Sequence, residues 1–367
     1  MYLNKKGKVP DQAHVGIPEG LCEEEHGRDG FTGPVSHLYR EHPPTGWEKI
    51  EGPLKPRAFD CAKLSSSAGA ISNPVLAMES LDVKLSVSSV EKTTTHFLRN
   101  ADGDEVHFVH EGTGSFETDY GCLPYEPGDY VVIPKGTTYR THVDAGPSRF
   151  LLIETRESVT VPDRGPLGQH ALFDKGVLVA PELGPIASSE SEGQKWEVHI
   201  KRQGSITRVV YPFYPMDVVG WKGDLWVAKL NVRDFRPVMS PRYHLPPSVH
   251  VTFRAGGCLI STFAPRPLES DPEALRVPFY HRNTDYDEVL FYHQGEFFSR
   301  AGIRPGMLTL HPQGIHHGPQ PQAVQASKGK THTNEVAVMI ESKAPFTVGP
   351  EIGTVEIEDY ALSWSRR

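Results

Sequence analysis

Residues 281–289 read HRNTDYDEV, and residues 98–106 read LRNADGDEV. The two segments align without a gap at an offset of 183, and most of their nine positions are identical. Beyond each segment, a glycine lies seven positions after the glutamate, at Gly112 and at Gly295. Self-similarity at a fixed offset is typical of a duplicated structural unit.

The similarity continues downstream of both segments. The pattern Pro-Gly followed by Pro-x-Gly occupies residues 127–136 in the first half of the chain and 305–314 in the second. The offset there is 178, which indicates a shorter connecting loop in the second copy. Because both parts of the pattern recur in the same order, we predict two tandem copies of one domain.

Short segments bounded by Gly, Pro or Asp predict strands. In the segment 83–87 apolar and polar residues alternate, as they do in a half-buried strand. Similar segments occur at 106–110, 130–133, 149–153, 196–200, 249–253, 290–292 and 336–340. The chain contains 34 glycines and 32 prolines and lacks a convincing amphipathic helix. We therefore predict an all-β protein built as sandwiches or barrels.

The predicted division of the chain has three parts. Residues 1–60 are rich in Gly, Pro, His and charged side chains and are expected to form an irregular N-terminal extension that packs on the barrels. Residues 61–190 are expected to form the first barrel and residues 191–367 the second. A Ser- and Glu-rich stretch at 188–193 is the expected connection.

Composition excludes several classes of function. A net charge of −8 without a run of Lys or Arg argues against a nucleic-acid partner. No stretch of 18 apolar residues predicts a membrane span, and no apolar stretch follows the basic N-terminus as in a secretory signal. The four cysteines are isolated, which argues against a zinc ribbon or a disulfide framework and favours a reducing cytoplasm.

The two copies differ at positions that matter for metal binding. His281 corresponds to Leu98 and His317 to Tyr139, whereas Glu288 is retained as Glu105. Two imidazoles and one carboxylate with open positions are the ligand set of non-haem Fe(II) that activates oxygen, although Mn, Ni or Zn could fill the same set. We predict a metal at His281, Glu288 and His317, and a first copy that binds none.

The pattern H-x-N-(x)4-E-(x)6-G at 281–295, followed by G-(x)5-P-x-G-(x)2-H at 306–317, resembles the paired motifs of the cupin superfamily. Asn283 replaces the usual second histidine. The resemblance implies two tandem cupin β-barrels of jelly-roll type, with metal inside the second. A closer resemblance, to the homogentisate 1,2-dioxygenase family, rests on residues 281–283, 310–311 and 317–319 and, more loosely, on 24–40.

This resemblance implies a function. The family consists of bicupin enzymes that bind Fe(II) through His, Glu and His and cleave homogentisate with O2 to maleylacetoacetate in tyrosine and phenylalanine catabolism. By position, His281, Glu288 and His317 match its iron ligands. His244 matches its proposed acid/base, and His311 matches a histidine that lines its site. Both are expected to be catalytic, His311 by orienting substrate or iron-bound water. The resemblance also implies a trimer-based homo-oligomer.

Several other residues have a functional and a structural interpretation. Phe279 and Phe297 occupy positions where the family has pocket tyrosines, and would form a ring-stacking wall or only pack in the core. Asn283 is expected to hydrogen-bond to a ligand residue without contacting the metal itself. His316 is expected to orient substrate or to lie at the surface. His293 falls on the opposite strand face from Glu288 and is expected to be structural.

The sequence does not decide the identity of the substrate. Three arginines, Arg242, Arg276 and Arg282, are candidates for anchoring a substrate carboxylate, although arginines are usually solvated or paired. The two pocket phenylalanines keep another hydroxylated aromatic acid, such as gentisate, as a rival substrate. A third alternative is a cupin that binds a small ligand or a structural metal without oxygen chemistry.

Overall fold

The structure, a computed structural model, describes residues 4–64, 74–184, 193–276, 279–297, 300, 302–326 and 329–365. These residues form 22 strands and two short helices, α1 (Pro321–Ala326) and α2 (Pro350–Gly353). In chain order the strands are β1 (Cys22–Gly27), β2 (Val35–Arg40), β3 (Arg57–Asp60), β4 (Val75–Glu79), β5 (Val83–Val90), β6 (Phe97–Asn100), β7 (Asp104–Glu111), β8 (Gly114–Thr118), β9 (Gly121–Tyr125), β10 (Asp129–Ile133), β11 (Thr138–Val143), β12 (Ser148–Thr155), β13 (Trp196–Arg202), β14 (Ser205–Tyr211), β15 (Ala228–Asn231), β16 (Val251–Ala255), β17 (Cys258–Phe263), β18 (Tyr280–Asn283), β19 (Asp287–Gln294), β20 (Met307–His311), β21 (Val336–Ser342) and β22 (Thr347–Val348). Among the described helices, none is both long enough and apolar enough to cross a membrane.

The strands form four sheets. The first barrel consists of a seven-stranded sheet, in the order β15-β10-β7-β12-β5-β4-β22, and a six-stranded sheet, in the order β14-β13-β6-β11-β8-β9. The second consists of a six-stranded sheet, β16-β17-β21-β19-β20-β3, and a three-stranded sheet, β18-β1-β2. The prediction of an all-β protein with two tandem barrels is confirmed.

The two barrels share a hydrophobic core. Phe108 and Tyr130, on the seven-stranded sheet of the first barrel, belong to the same buried cluster as Phe253, Val289 and Phe291 of the second. Each such side chain contributes about 1.5–3 kcal/mol by its removal from water. The seven-stranded sheet therefore packs against the second barrel on one face and encloses the core of its own barrel on the other.

The sequence repeat is also a structural repeat. The Asp104 carboxylate accepts a 2.8 Å hydrogen bond from the Lys135 backbone N–H, and Asp287 accepts one of equal length from Gln313. Matching bonds tie the carbonyl of the repeated asparagine to a glycine N–H in each copy. In each copy, the same hydrogen bonds therefore join the first sequence pattern of the repeat to the second.

A hairpin from another part of the chain completes each barrel. The hairpin β1–β2 adds to the second barrel through parallel pairing of β1 with β18, and β13–β14 adds to the first through parallel pairing of β13 with β6. Strand β3 also pairs with β20. The predicted N-terminal extension, residues 1–60, therefore supplies three strands to the sheets of the second barrel and does more than pack on the barrels.

The predicted boundary at 190/191 lies outside the described residues. Beyond it, residues 196–211 and 228–231 pair with strands of the first barrel, although the predicted division placed them in the second. A change of sheet occurs between β15 and β16, so division by sheet membership falls within 232–250. Strand β22 returns to pair with β4, which further interlocks the two halves.

Candidate metal centre

Three strands bring the predicted ligands together. His281 lies on β18 and Glu288 on β19, while His317 follows β20 by six residues. The backbones of the two histidines form a reciprocal pair of hydrogen bonds, 2.9 and 3.0 Å long. This bridge sets the rings side by side, with centroids 3.9 Å apart.

The ligand-type atoms of His281, Glu288 and His317 all lie within 4.8 Å of one another. The Glu288 Oε2 atom is 3.9 Å from His281 Nε2 and 3.7 Å from His317 Nε2. Both Nε2 atoms are buried and have no hydrogen-bond partner among the described residues. Buried polar atoms are seldom left unpaired, so a shared cation at this point fits the residues present.

The remaining ring nitrogens fix the tautomers. His281 Nδ1 donates to the Phe279 carbonyl at 3.3 Å, and His317 Nδ1 donates to the Ile315 carbonyl at 3.4 Å. With Nδ1 protonated, the Nε2 lone pairs face the centre, as metal ligands require. Burial, followed by repulsion from His281, lowers the pKa of His317 to about 3 and keeps its ring neutral.

The Glu288 side chain is ionised at neutral pH. Burial alone would raise its pKa, but the neighbouring His317, His281 and His311 hold the pKa well below its usual range. His311 Nδ1 donates to Glu288 Oε1 at 2.8 Å, and its Nε2 lies 3.4 Å from the Tyr360 hydroxyl. The structure thus places His311, predicted to be catalytic, behind Glu288, where it orients the carboxylate.

A cavity, partly open to solvent, adjoins the centre. Small-molecule sites are usually concave and largely apolar, with a few polar groups set among the apolar ones. Apolar side chains form most of its wall, and imidazole, guanidinium and carboxylate groups are set among them. The lining residues are Phe31, His244, Pro247, His250, Phe263, Arg266, Phe279, His281, Glu288, Leu290, Tyr292, Arg300, Gly318, Glu335, Ala337 and Met339.

His244 belongs to this wall and is buried. Its Nδ1 lies 3.1 Å from the Glu269 carboxylate, and its buried Nε2 has no partner among the described residues. Burial lowers the pKa of His244, so the neutral form prevails at neutral pH. A neutral imidazole oriented by a carboxylate and open at Nε2 has the arrangement of a general base.

The two predicted pocket phenylalanines differ in position. Phe279 lines the cavity, with its ring 5.0 Å from that of His281 and 4.6 Å from that of His244. Phe297 packs against Tyr292, 4.8 Å away, in a separate hydrophobic cluster. The ring that reaches the cavity at that point is Tyr292. Phe297 therefore supports the wall from behind.

Asn283 and His316 point away from the ligands. The Asn283 side-chain oxygen accepts hydrogen bonds from the Asp285 and Tyr286 N–H groups, so this residue shapes the turn after β18 and does not support a ligand as expected. His316 Nε2 lies 2.8 Å from a Glu24 carboxylate oxygen. This contact links β1 to the segment that carries His317.

Sequence reasoning missed four polar residues of the cavity, His250, Arg266, Arg300 and Glu335. Burial lowers the pKa of His250 well below its usual value and raises the pKa of Glu335. None of the four belongs to the repeat or to the motifs around the ligands, so no signal in the sequence distinguished them.

The first barrel keeps only the acid of the ligand set. Leu98 and Tyr139, which replace the histidines, pair directly across β6 and β11. Burial, followed by the nearby Glu105 carboxylate, raises the pKa of Tyr139, and Asn100 donates a 3.1 Å hydrogen bond to that carboxylate. A phenol and an apolar side chain thus replace the two imidazoles of the second barrel.

A second group of histidine and glutamate side chains lies in the N-terminal segment. His14 Nδ1 is 2.5 Å from Glu23, and Glu25 lies 3.6 Å from His14 Nε2 and 3.5 Å from His37 Nε2. Burial would lower the pKa of His14, but Glu23 and Glu25 raise it to about 9. This group is best described as a protonated histidine neutralised by two carboxylates.

Comparison with protein families gives matches over most of the chain. Residues 59–231 match a model described as the N-terminal part of homogentisate 1,2-dioxygenase, and residues 251–366 match its C-terminal part. A protein of Saccharolobus solfataricus named "Putative dioxygenase" is 32% identical over 99% of both chains. The homogentisate 1,2-dioxygenase of Bradyrhizobium diazoefficiens is 30% identical over 73% of this chain, which spans 62% of that relative.

Solved structures give weaker similarities. Protein Ylba from E. coli aligns over 80% of this chain and 93% of its own with 8% identity and a TM-score of 0.39. A cupin 2 conserved barrel domain protein from Leptotrichia buccalis aligns over 80% and 99%, with 11% identity and a TM-score of 0.35. At these TM-scores neither structure supports a conclusion about this chain.

Proposed function

The chain belongs to the homogentisate 1,2-dioxygenase family, and we propose that it is an Fe(II)-dependent, extradiol-type ring-cleaving dioxygenase. Its proposed reaction converts homogentisate and O2 to maleylacetoacetate, a step of tyrosine and phenylalanine catabolism. The observation that carries the proposal is the buried group of His281, Glu288 and His317, in which both Nε2 atoms lack a partner among the described residues and His281 and Glu288 line the adjoining cavity.

The proposed metal ligands are His281, Glu288 and His317. When bound, Fe(II) supplies the coordination positions and the one-electron chemistry that bring a phenolate and O2 into reaction. The protein supplies a neutral pair of imidazoles and one carboxylate, so that a divalent ion keeps a net charge near +1. His311 keeps Glu288 aimed at the centre through its 2.8 Å bond.

His244 is the proposed acid and base. Its free Nε2 accepts the phenolic proton as substrate binds. Glu269, in contact with Nδ1, stabilises the imidazolium that results. The same Nε2–H then donates a proton back later in the reaction. Since burial lowers the pKa of His244, the residue begins the cycle in the form that accepts a proton.

The cavity wall positions an aromatic ring. Phe31 and Phe279 lie beside His281, with ring centroids 5.3 and 5.0 Å from it, and present flat apolar faces. Offset or edge-on aromatic packing would hold the substrate ring near the ligands and exclude water from it. These side chains favour an aromatic substrate over an aliphatic one.

Gentisate is the second candidate substrate. Phe279 and Phe297 stand where the family has tyrosines, so the hydroxyl groups at those two positions are missing from this chain. We further propose a trimer-based assembly, as in the family, which light scattering would test. A cytoplasmic location is proposed because all four cysteines are free thiols.

Oxygen uptake tests the proposal. Protein loaded anaerobically with Fe(II) should consume O2 when homogentisate is added and form a product that absorbs in the near ultraviolet. Uptake with gentisate but not with homogentisate would favour the second substrate. No uptake with either diphenol would favour a cupin without oxygen chemistry.

A further inference from the structure

A buried guanidinium lies at one wall of the cavity. Arg266 follows the end of β17 by three residues, and its backbone is fixed on both sides. Its N–H donates to the Thr333 hydroxyl at 3.2 Å, and its carbonyl accepts from the Thr333 N–H at 2.8 Å. The side chain therefore starts from a rigid point, as a preorganised binding group should.

The Arg266 side chain has an unmet hydrogen-bonding capacity. Its Nη1 atom is buried and lacks a partner among the described residues, while the guanidinium lies over the Phe263 ring at 5.6 Å. Burial lowers the pKa of Arg266, and the nearby Glu335 and Glu269 oppose that effect. Glu269 is already in contact with His244. A buried, unpaired guanidinium N–H is costly unless a ligand occupies it.

The three arginines named from the sequence, and Arg300 in the cavity wall, have contacts with other groups. Arg300 donates to the Gly318 carbonyl at 2.8 Å and lies over the Trp364 ring. Arg242 forms a 2.7 Å ion pair with Asp271. Arg282 is 3.6 Å from Glu24, and Arg276 reaches the Lys330 carbonyl at 3.5 Å. Arg242, Arg276 and Arg282 also lie outside the cavity wall.

We propose that Arg266 binds the carboxylate of the substrate and makes the enzyme selective for aromatic acids over neutral phenols. Planar guanidinium groups match carboxylates with paired hydrogen bonds. Arg266 shares its cavity with His281 and Glu288, so one molecule can contact both the metal centre and the guanidinium. This inference rests on the proposed function, because it takes the ring-cleavage substrate as the ligand.

Binding without oxygen isolates this claim. Phenylacetate and phenylacetamide are nearly equal in shape, differ in charge, and lack the hydroxyl groups that ring cleavage requires. Anaerobic calorimetry on metal-loaded protein should show the acid binding roughly 10- to 100-fold more tightly than the amide, as expected for a charge-assisted hydrogen bond. Arg266→Gln should remove that preference. Arg242→Gln, which alters an arginine outside the cavity, should keep it.

Each outcome bears on the claim. Equal binding of acid and amide by the unaltered protein, or a preference that survives in Arg266→Gln, would overturn it. If Arg266→Gln does not fold, a crystal structure with phenylacetate decides: the carboxylate should lie within hydrogen-bond distance of Arg266, and a carboxylate elsewhere contradicts the proposal. If the protein prefers the acid but consumes no O2 with any diphenol, the proposed function is wrong and the carboxylate site is retained.

Discussion

His110 and His293 meet across the interface of the two barrels, with their Nδ1 atoms 3.0 Å apart. The two histidines occupy the same position of the repeat, 183 residues apart. Contact between equivalent residues relates the two barrels by a local pseudo-twofold axis near this pair. One imidazole donates and the other accepts, so the bond exists only while at least one ring is neutral.

The pair predicts acid sensitivity. Burial lowers the pKa of both histidines to about 4, with Arg149 acting on His110 in the same direction and Glu111 acting on His293 in the opposite one. The unfolded chain therefore takes up protons first as pH falls below about 6.5. The free energy of unfolding should decrease between pH 6.5 and 4, by on the order of 3 kcal/mol for each histidine.

Urea unfolding at a series of pH values measures this effect. The double variant His110→Gln/His293→Gln should show a flatter dependence over that window than the unaltered chain. If both proteins lose stability equally between pH 6.5 and 4, the buried pair is not the source.

Glu288→Ala should abolish iron retention and activity and leave the fold intact. The substitution removes the only carboxylate of the predicted ligand set, whereas the sheets around it depend on other contacts. Glu105→Ala, at the equivalent position of the first barrel, is the matched control and should leave iron content unchanged. Metal analysis after gel filtration measures both variants. Iron loss from the Glu105 variant would disprove a metal-free first barrel.

His311→Phe tests the group behind the metal centre. This variant keeps an aromatic ring but no longer donates to Glu288. Loss of such an orienting bond typically weakens metal binding by about 10- to 100-fold. The rate of iron transfer to a chelator measures the effect, and His316→Phe is the control because His316 contacts Glu24 instead. Equal rates in all three proteins would remove His311 from this role.

His244→Asn should lower kcat by about 10²- to 10⁴-fold while iron content stays the same. The variant retains a polar side chain but no longer exchanges a proton near neutral pH. Glu269→Gln should act in the same direction more weakly and shift the acid limb of the pH–rate profile, since Glu269 stabilises the imidazolium form. A His244 variant with full activity would assign proton transfer to another group, and His250, which also lines the cavity, would be the next candidate.

The repeat made much of this molecule predictable from sequence. Strand alternation and the 183-residue offset predicted the barrels, and the replacement of histidine by Leu98 and Tyr139 predicted which copy holds the metal ligands. The structure brings His281, Glu288 and His317 together as that comparison expected. Spacing sufficed there because hairpin geometry couples residues that are near in sequence.

Contacts between distant segments were not predictable in this way. The parallel pairing of Glu25 with His281 joins residues 256 apart, and no local pattern specifies such a partner. Arg266 and Glu335 reach the cavity from segments outside the repeat motifs. The contact of His311 with Glu288 was also not predicted, because strand position alone does not show which neighbouring side chain a ring faces.

Isotope labelling distinguishes ring-cleaving dioxygenase activity from other reactions with oxygen. Protein loaded anaerobically with Fe(II) is mixed with homogentisate and heavy-oxygen O2, and the product is analysed by mass spectrometry. We expect one O2 to be consumed per homogentisate and a ring-opened product that initially carries both labelled atoms. Unlabelled product, release of hydrogen peroxide, or an unchanged ring would contradict ring-cleaving dioxygenase activity.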